Sequence, residues 1–339
     1  MKVSIITTVY KAEKDLPRLL DSMMAQKSPE LEFFLIDNGS PDKCGEICRE
    51  YMKKDSRFVL YELKDNIGYI RARNLGIQEC TGDYIGFCDS DDYLEPGGYD
   101  RVLEVLQNEK IDLYIGEYNA VYNEYTQRIK LPFQYGIYKD SMLQEAIIPQ
   151  AFGILKNRNM LQGFAWKHVY RKDLILQGKM EFKVELKPYE DQIFNIEVIQ
   201  KSERIYVDEN VIYNYVVNPD SITSKLVLEF SPAKEIERIL KLFNEKKTRA
   251  EREIEKEAVS NQMLEMLYVV FLNIAKSNNR NYKMFTDEYN SELFDFILKY
   301  SSNDLNPKLR LTKFCLRHRF YNFLVCTIRL FLNTRNKLR

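Results

Sequence analysis

The chain has 339 residues, of which 45% are hydrophobic, and its 50 Lys and Arg balance 50 Asp and Glu. This length predicts about two domains with a substantial core. The six cysteines show neither C-x-x-C nor Cys/His ligand spacing, which argues against a zinc site or a disulfide framework. Together with the lack of a signal-peptide pattern at the N-terminus, they indicate a reducing, cytoplasmic compartment.

Strand-like apolar runs alternate with segments of helical period in the first 90 residues. The β-branched run 2–10 and the apolar runs 32–36 and 84–88 predict strands. Between the first two, apolar residues recur at i, i+3, i+4 and i+7 over 16–23, which predicts a helix. The alternation predicts an α/β fold with a Rossmann-like, mostly parallel sheet flanked by helices. Such sheets bind ligands beyond the carboxyl ends of their strands.

Two of the predicted strands end in acidic turns. The sequence Asp-Ser-Asp-Asp at 89–92 follows the run 84–88, and Asp37 follows the run 32–36. Carboxylates at the end of a buried strand are costly unless they bind a cation. Mg²⁺ typically takes one or two carboxylates and the phosphate oxygens of a substrate, so a metal-diphosphate site is one interpretation. Acidic residues that cap and solvate a loop are the alternative.

The segment 65–77 joins a tight turn to a helix. Asn66 and Gly68 suit the turn, and Arg71 and Arg73 stand at the start of the helix, where anions are usually favoured. The two arginines indicate a nearby phosphate or, alternatively, a plain charged surface. Neither G-x-G-x-x-G after the first strand nor G-x-x-x-x-G-K-[ST] occurs, which argues against dehydrogenases and P-loop NTPases.

Four linked motifs resemble glycosyltransferase family 2. They lie at 3–10, at 36–40, at 66–68 with 72–76, and at 82–92. The resemblance implies a GT-A fold, a nucleotide-diphosphate sugar donor such as a UDP-sugar, Mn²⁺ or Mg²⁺ as cofactor, and inversion at the anomeric carbon. Thr8 and Lys11 depart from the pattern, because Pro and Asn are frequent in the family at these positions.

The resemblance also implies roles for single residues. Asp91 would be the main metal ligand, with Asp92 in support. Asp37 would accept a hydrogen bond from a pyrimidine N–H, and Tyr10 would stack on the base or, alternatively, pack in the core. The residues expected to bind the nucleotide and the donor are Thr8, Val9, Tyr10, Glu13, Asp37, Asn38, Arg73 and Asp89.

Two later segments resemble the acceptor side of the family. The segment around Trp166 resembles its W-x-K-x-Y pattern, with His168 where Lys is common, and Glu190-Asp191 resembles its E-D motif. The resemblance implies that Asp191 is the catalytic base for an acceptor hydroxyl and that Trp166 and Glu190 lie near the acceptor. The alternatives are a helix cap for the acidic pair, a core ring for Trp166, and plain packing for His168.

The chain changes character near residue 226. We predict a catalytic domain at 1–225, with a nucleotide-sugar half at 1–118 and an acceptor-side half at 119–225, followed by a helical extension at 226–339. The charged run 246–257 within the extension predicts a solvated helical face.

Positive charge is concentrated in the last part of the chain. Residues 305–339 contain nine Lys and Arg and no Asp or Glu, which leaves 41 basic against 50 acidic residues elsewhere. The apolar stretch 320–332 is shorter than the ~20 residues of a membrane-spanning helix. Such a helix can lie on an anionic membrane or pack on the rest of the protein, and both alternatives stay open. Nucleic acid is not expected as a partner, because the charge does not line a groove.

Taken together, the residues and the resemblance predict an inverting, metal-dependent glycosyltransferase. It would move a sugar from a nucleotide donor to a glycan or lipid-linked acceptor during synthesis of a surface polysaccharide such as a capsule. We expect it in the cytoplasm, peripheral on the inner face of the plasma membrane. The alternatives are a sugar nucleotidyltransferase, which shares a related sheet and metal site, and a catalytically silent nucleotide-sugar-binding scaffold.

Overall fold

The structure is a computed structural model that describes residues 1–155, 161, 163–218, 231–276 and 291–337. It divides into two compact units: unit 1 comprises Met1–Ile147 and Gln162–Pro219, and unit 2 comprises Ile148–Leu161 and Asp220–Arg339. The expected boundary at 225/226 lies outside the described residues, and the expected division at 118/119 falls within a strand of unit 1. The bounds of the catalytic domain and of the extension stay predictions.

Unit 1 is built on one ten-stranded sheet. Its strands are β1 (Val3–Val9), β2 (Leu31–Asn38), β3 (Phe58–Leu63), β4 (Tyr84–Phe87), β5 (Tyr93–Leu94), β6 (Leu113–Val121), β7 (Thr126–Ile129), β8 (Gly136–Lys139), β9 (His168–Arg171) and β10 (Arg204–Val216). Its helices are α1 (Leu16–Met24), α2 (Cys44–Lys54), α3 (Tyr69–Glu79), α4 (Gly98–Asn108), the short α5 (Asp140–Met142), α7 (Lys172–Gly178) and α8 (Glu190–Lys201). A π-helical turn (Leu143–Ile147) and two 3₁₀ turns (Ala165–Lys167 and Val184–Leu186) complete it.

The first four strands of the chain form the parallel part of the sheet. The order β3-β2-β1-β4 is parallel throughout, with Val9 of β1 opposite Asp37 of β2 and Ile6 opposite Phe87 of β4. The carboxyl ends of β1, β2 and β4 therefore meet at one edge of the sheet. The predicted strands and the predicted helices α1 and α3 are confirmed, and the two acidic turns lie at the predicted edge.

Beyond β4 the sheet is mixed, so the expectation of a mostly parallel sheet holds only for its first part. The order continues β9-β6-β10-β5, and β9 is antiparallel to both β4 and β6. A short connection joins β6 to β7, and only antiparallel strands can be joined so tightly. Strand β10 runs parallel to β6 with register shifts near Val211.

Helix α3 packs directly on the sheet because Gly76 lacks a side chain. A Cβ atom at this position would lie 2.6 Å from Ile6 Cγ2 and 3.0 Å from Ile36 Cδ1. Helix α1 covers the sheet with the apolar face that its period predicted, burying Leu16 and Met23 among others. Burial of such side chains stabilises the fold by about 1.5–3 kcal/mol each. The close approach of α3 holds its first turns near the carboxyl ends of β1 and β4.

Unit 2 is helical. Its helices are α6 (Ile148–Phe152), α9 (Pro232–Arg249), α10 (Glu253–Lys276), α11 (Ser291–Tyr300), α12 (Pro307–His318) and α13 (Tyr321–Lys337). One described helix, α10, is long and apolar enough to cross a membrane, but 67% of its apolar window is buried inside the structure. Helix α10 therefore has the burial of a core helix.

The prediction of a solvated helical face at 246–257 holds for most of its charged side chains but not for the whole segment. Helix α9 ends at Arg249 and α10 begins at Glu253, and both Lys246 and Glu255 are buried. Lys246 Nζ donates to Phe152 O at 2.9 Å, and burial lowers the pKa of this lysine to about 7. Glu255 accepts a hydrogen bond from Arg252 Nε at 2.7 Å. Phe152, which is distant in sequence, thus binds a lysine that the local pattern assigns to solvent, whereas Glu255 is buried against the nearby Arg252.

Candidate active site

The turn after β2 is fastened to the turn after β3. Asn38 Oδ1 accepts a hydrogen bond from Ile67 N–H at 3.0 Å. Gly39 between the two turns has φ +65°, and a Cβ atom there would lie 2.7 Å from the carbonyl carbon of Asp65. Only glycine combines this backbone conformation with so close an approach. Asn38 therefore shapes this edge of the site, and its own side chain is buried.

Asp37 lies beside this turn and is itself buried. Its Oδ1 accepts a hydrogen bond from Ser40 N–H at 2.8 Å. Burial raises the pKa of Asp37, and that hydrogen bond offsets part of the effect. Helix α2 approaches closely at Gly45, where a Cβ atom would lie 2.7 Å from Asp37 Oδ2. The carboxylate thus lies at the predicted edge of the sheet in a tightly packed setting.

The loop after β1 is tied to the same turn by backbone N–H groups. Lys11 N–H donates to Ser40 Oγ at 2.8 Å, and Lys43 N–H donates to Glu13 Oε2 at 3.2 Å. Glu13 therefore positions the start of α2. The ring of Tyr10 is exposed, which excludes the core-packing alternative for this residue. Val9 is fully buried, backbone and side chain alike, and Thr8 is partly buried.

Arg73 joins the donor-side acidic turn to the predicted catalytic base. This buried side chain forms an ion pair with Asp89 through Nη2, and its Nη1 lies 3.0 Å from Asp191 Oδ1. Burial lowers the pKa of Arg73, but the two carboxylates outweigh burial and raise the pKa overall. The rings of Tyr69 and Phe182 lie beside the guanidinium. Arg73 is expected near the donor phosphates, and in the structure it lies between two carboxylates, one in the turn after β4 and one in α8.

Asp191 lies in the first turn of α8, but its carboxylate does not cap that helix. Oδ1 accepts from Arg73, and Oδ2 accepts from Ala165 N–H at 2.9 Å. Burial raises the pKa of Asp191 to about 6, and Arg73 offsets part of this shift. The neighbouring Glu190 accepts a hydrogen bond from the Tyr69 hydroxyl through Oε1. These contacts join the acidic pair to α3 and to the 3₁₀ turn at 165–167, whereas a helix cap would bind only backbone N–H groups of α8 itself.

The three carboxylates of the 89–92 turn have different surroundings. Asp92 is buried, and its two oxygens accept hydrogen bonds from the Tyr213 hydroxyl and from Val216 N–H, both at 2.7 Å. Asp92 therefore fastens the turn to β10. Burial and the adjacent Asp89 raise the pKa of Asp91 to about 6. Among the described residues, no group of three or more His, Cys, Asp and Glu side chains is arranged to hold a metal.

Trp166 is a core ring, which was the alternative to an acceptor platform. It is 4% exposed and stacks on Tyr213, with ring centroids 4.3 Å apart, and on Phe164, 4.9 Å apart. Phe164 is 41% exposed and forms the open end of this stack. Sequence reasoning assigned no role to Phe164; its place two residues before Trp166, in the segment that resembles the acceptor side of the family, was the available signal.

Lys167 and His168 follow Trp166 and are also buried. Burial lowers the pKa of Lys167 to about 7 and lowers the pKa of His168 below its ordinary value. His168 Nδ1 lies 2.7 Å from Phe164 O, which fits the packing alternative for this histidine. The pair thus lies at the buried junction between the 3₁₀ turn and β9.

The fold and the site are those of the GT-A class. Parallel strands end in acidic turns at one edge of the sheet, and Arg73 joins one of these turns to a second acidic group at Asp191. Residues 4–165 match the family model described as Glycosyl transferase family 2. The chain therefore carries a domain of this family, and the predicted family is confirmed.

Two relatives extend the likeness beyond the matched domain. The uncharacterized glycosyltransferase EpsJ of Bacillus subtilis is 28% identical over 246 residues, which cover 68% of this chain and 64% of EpsJ. The poly(ribitol-phosphate) beta-glucosyltransferase of Bacillus spizizenii is 26% identical over 88% of this chain and 45% of its own length. The chain thus spans less than two thirds of the length of either relative. Both relatives are named as glycosyltransferases, which supports the prediction that this chain is a transferase enzyme.

Two solved structures share the fold. Staphylococcus aureus TarS 1–349 in complex with UDP-GlcNAc has a TM-score of 0.73 at 18% identity and covers 98% of this chain and 92% of its own. The mannosyltransferase PcManGT of Pyrobaculum calidifontis in complex with GDP-Man and Mn²⁺ has a TM-score of 0.52 at 12% identity, covering 97% and 87%. At these identities the likeness concerns the fold, and it confirms the predicted GT-A architecture.

Proposed function

We propose that the protein is an inverting, metal-dependent glycosyltransferase that uses a UDP-sugar donor. The observation that carries this proposal is the bridge from Asp89 through Arg73 to Asp191. The bridge keeps Asp89, in the acidic turn of the proposed donor side, and Asp191, on the proposed acceptor side, close together in one site. A fixed distance between donor and base is what a single displacement at an anomeric carbon requires.

The donor would bind at the carboxyl ends of β1 and β2. Tyr10 offers an exposed ring for the base, and Asp37 offers a carboxylate at the adjacent strand end. The choice of a UDP-sugar draws support from the TarS structure, which was solved with UDP-GlcNAc. PcManGT, with GDP-Man and Mn²⁺, supports a nucleotide sugar and a divalent metal in the same fold.

Asp91 fits a divalent cation. Its carboxylate is partly buried, and burial together with Asp89 raises its pKa to about 6, so a bound cation would relieve an unfavourable negative charge. Mg²⁺ or Mn²⁺ held by Asp91 and by donor phosphate oxygens would neutralise charge on the departing nucleoside diphosphate. Asp92 would support this ligand by fastening the turn to β10 rather than by direct coordination.

Asp191 would take the proton of the acceptor hydroxyl. Each of its oxygens accepts one protein hydrogen bond, which leaves a second lone pair on each for the acceptor. As the acceptor oxygen bonds to the anomeric carbon, the bond from that carbon to the diphosphate oxygen breaks and the proton passes to Asp191. Attack from the side opposite the leaving group inverts the anomeric centre.

The acceptor would be a hydroxyl of a surface glycan or of a lipid-linked glycan. The name of the poly(ribitol-phosphate) relative supports a surface polymer. Within this chain the exposed ring of Phe164 precedes Ala165, which binds the base, and so offers the stacking platform first expected from Trp166.

A transfer assay tests the proposal. Purified protein is incubated with a panel of nucleotide sugars and a set of glycan and lipid-linked glycan acceptors, with Mn²⁺ or with EDTA, and acceptor-dependent release of the nucleoside diphosphate is measured for the wild type, Asp191→Asn and Asp173→Asn. We expect metal-dependent release that Asp191→Asn lowers by roughly 10²–10⁴-fold. Asp173, an exposed aspartate in α7, is the matched control and should leave the rate unchanged.

The same samples separate the two alternatives. Pyrophosphate release from a nucleoside triphosphate and a sugar phosphate would identify a nucleotidyltransferase. Thermal stabilisation by a nucleotide sugar without turnover, unaffected by Asp191→Asn, would identify a binding scaffold. Either result would overturn the transferase proposal.

A further inference from the structure

We propose that α12 and α13 of unit 2 form a docking face for an anionic membrane surface. The face combines a basic pocket on α12, an aromatic cluster at the turn between the helices, and the outward side of α13. All residues of this face belong to unit 2, and the membrane role does not depend on the proposed transferase activity.

The basic pocket lies on one side of α12. Arg310, Lys313, Phe314 and Arg317 recur at i, i+3, i+4 and i+7, so they share one helix face. With residues of the 302–305 segment they line a pocket of about 220 Å³. That volume equals roughly seven waters in the liquid, enough for a phosphate group.

The charges of this pocket are left for an external partner. Lys313 Nζ donates to Ser301 O at 2.9 Å, a neutral carbonyl. In the part of the chain that the structure describes, no carboxylate lies within 4.0 Å of the guanidinium of Arg310, Arg317 or Arg319, whereas Lys308 pairs with Glu265. Unneutralised cations on one face attract an anionic surface.

Aromatic side chains stand beside these cations and are exposed. Phe314, His318 and Phe320 form a cluster at the α12–α13 turn, with the Phe314 and His318 rings 4.5 Å apart and the Phe314 and Phe320 rings 6.2 Å apart. Phe314 is 49% exposed and Phe320 is 50% exposed. Aromatic rings next to cations are typical of segments that lie at the level of lipid headgroups.

Helix α13 is apolar on two sides, of which one is buried and the other is exposed. Tyr321, Leu324, Val325 and Ile328 are buried. The outward side carries Phe323, Leu330 and Phe331, which are 55%, 68% and 66% exposed. The two alternatives for the apolar stretch 320–332 therefore apply to different sides of one helix. The buried side packs on the protein, and the exposed outward side would enter the lipid boundary.

Charge complementarity and the exposed rings together favour a membrane as the occupant. A soluble polyanion would use the cations but would not bury Phe323 or Leu330. A neutral apolar partner would leave Arg310 and Arg317 desolvated without a counter-charge, which is costly. An anionic bilayer satisfies both kinds of side chain at once.

Vesicle co-sedimentation of the full chain tests the face. We compare vesicles of phosphatidylcholine alone with vesicles containing phosphatidylglycerol, for the wild type and for Arg310→Gln/Lys313→Gln/Arg317→Gln. Each cation near an anionic surface contributes roughly fivefold in affinity, so the triple variant should bind on the order of 100-fold more weakly. The matched control Lys27→Gln/Lys53→Gln/Lys201→Gln removes three exposed lysines of unit 1 and should bind like the wild type.

Cys326 supplies a native reporter of insertion. All six cysteines lie among the described residues, and Cys326 is the exposed one. A polarity-sensitive fluorophore on this thiol should shift to the blue when the protein binds anionic vesicles. The shift should be lost in Phe314→Ser/Phe320→Ser/Phe323→Ser, and Phe323→Ser alone is the milder second variant if the triple variant fails to fold.

Three results would overturn the proposal. Equal binding to both kinds of vesicle, or equal binding of the pocket variant and its control, would show that the basic pocket does not contribute to membrane binding. Sedimentation without a fluorescence shift would show that the face binds a polyanion at the surface and that the rings do not insert.

Discussion

Arg73 Nη1 and Asp191 Oδ1 lie 3.0 Å apart although 118 positions separate the two residues in the chain. The same guanidinium pairs with Asp89 through its other terminal nitrogen. A planar guanidinium can bind two carboxylates at fixed angles, whereas an ammonium group cannot. The link between the acidic turn after β4 and Asp191, the proposed base, therefore depends on one side chain of α3.

Replacement of Arg73 should uncouple these two carboxylates. Arg73→Gln leaves two partly buried carboxylates without their cation and should lower the free energy of unfolding by about 3 kcal/mol. Arg73→Lys should recover part of the stability but little of the transfer rate, because lysine lacks the planar guanidinium that binds both carboxylates at fixed angles. Urea unfolding and UDP release are the measurements, and Arg71→Lys, an exposed neighbour on α3, is the control. Full activity of Arg73→Lys would contradict the bridging role.

The pH profile should report the base. Because burial raises the pKa of Asp191 to about 6, the carboxylate is ionised at neutral pH and becomes protonated as the pH falls through 6. We expect kcat/KM to fall about tenfold per pH unit below that value. Saturating Mn²⁺ keeps Asp91 ionised, and the acidic limb of the profile should persist in Asp37→Asn, which lacks the other donor-site carboxylate with a raised pKa. A flat profile from pH 5 to 8 would exclude Asp191 as the base.

Tyr213 should stabilise the acidic turn through its hydroxyl. That hydroxyl donates to Asp92 Oδ2 at 2.7 Å and accepts from Asp89 N–H at 3.1 Å. Tyr213→Phe keeps the stack on Trp166 but leaves a buried carboxylate oxygen unsatisfied, which should cost about 1–3 kcal/mol. Thermal unfolding measures the loss. Tyr215→Phe, whose ring also stacks on Trp166, should cost less than half as much.

Gly39 and Gly97 separate backbone strain from a steric clash. Both have positive φ, +65° and +72°, but a Cβ atom at Gly39 meets Asp65 at 2.7 Å while at Gly97 the nearest atom is 3.8 Å away. Gly97→Ala should cost about 1 kcal/mol from the left-handed conformation alone. Gly39→Ala should cost clearly more and should also weaken donor binding. Equal unfolding midpoints for the two variants would show that the turn after β2 adapts freely.

Lys11 has a conformation that suits asparagine better than lysine. Its φ is +52°, in the left-handed region where Asn is tolerated. Lys11→Asn should therefore raise the free energy of unfolding by about 0.5 kcal/mol, as judged by denaturant unfolding. Lys14→Asn, a nearby exposed lysine, should not. The departure of this chain from the family pattern at position 11 would then have a measurable cost.

Local periodicity predicted the part of the fold that depends on local signals. The strands ending at Asp37 and before Asp89, and the apolar face of α1, follow from alternation and spacing alone. The insertion of β9 between β4 and β6 does not, because strand pairing over such separations leaves no local pattern. The position of β9 in the sheet is therefore known only from the structure.

The residues of the candidate site also divide into features that the sequence predicts and features that depend on distant partners. The resemblance to a family singled out Asp191 and Arg73, but their ion pair could not be inferred from either segment. Trp166 and Asp92 are packed and hydrogen-bonded within unit 1, because partners on β10 cover them. Residue type gives the chemistry a position can perform, and distant partners decide whether the side chain is available for it.

The place of β9 in the sheet also has a consequence for how the chain is made. Strand β4 pairs with β1 on one side and with β9 on the other, and β9 comes from residues 168–171. During synthesis the outer edge of β4 therefore stays unpaired until long after the strand itself has emerged. Exposed strand edges invite pairing with other chains. A fragment cut at residue 118 would keep that edge open permanently, so the donor half should aggregate when expressed without the acceptor half.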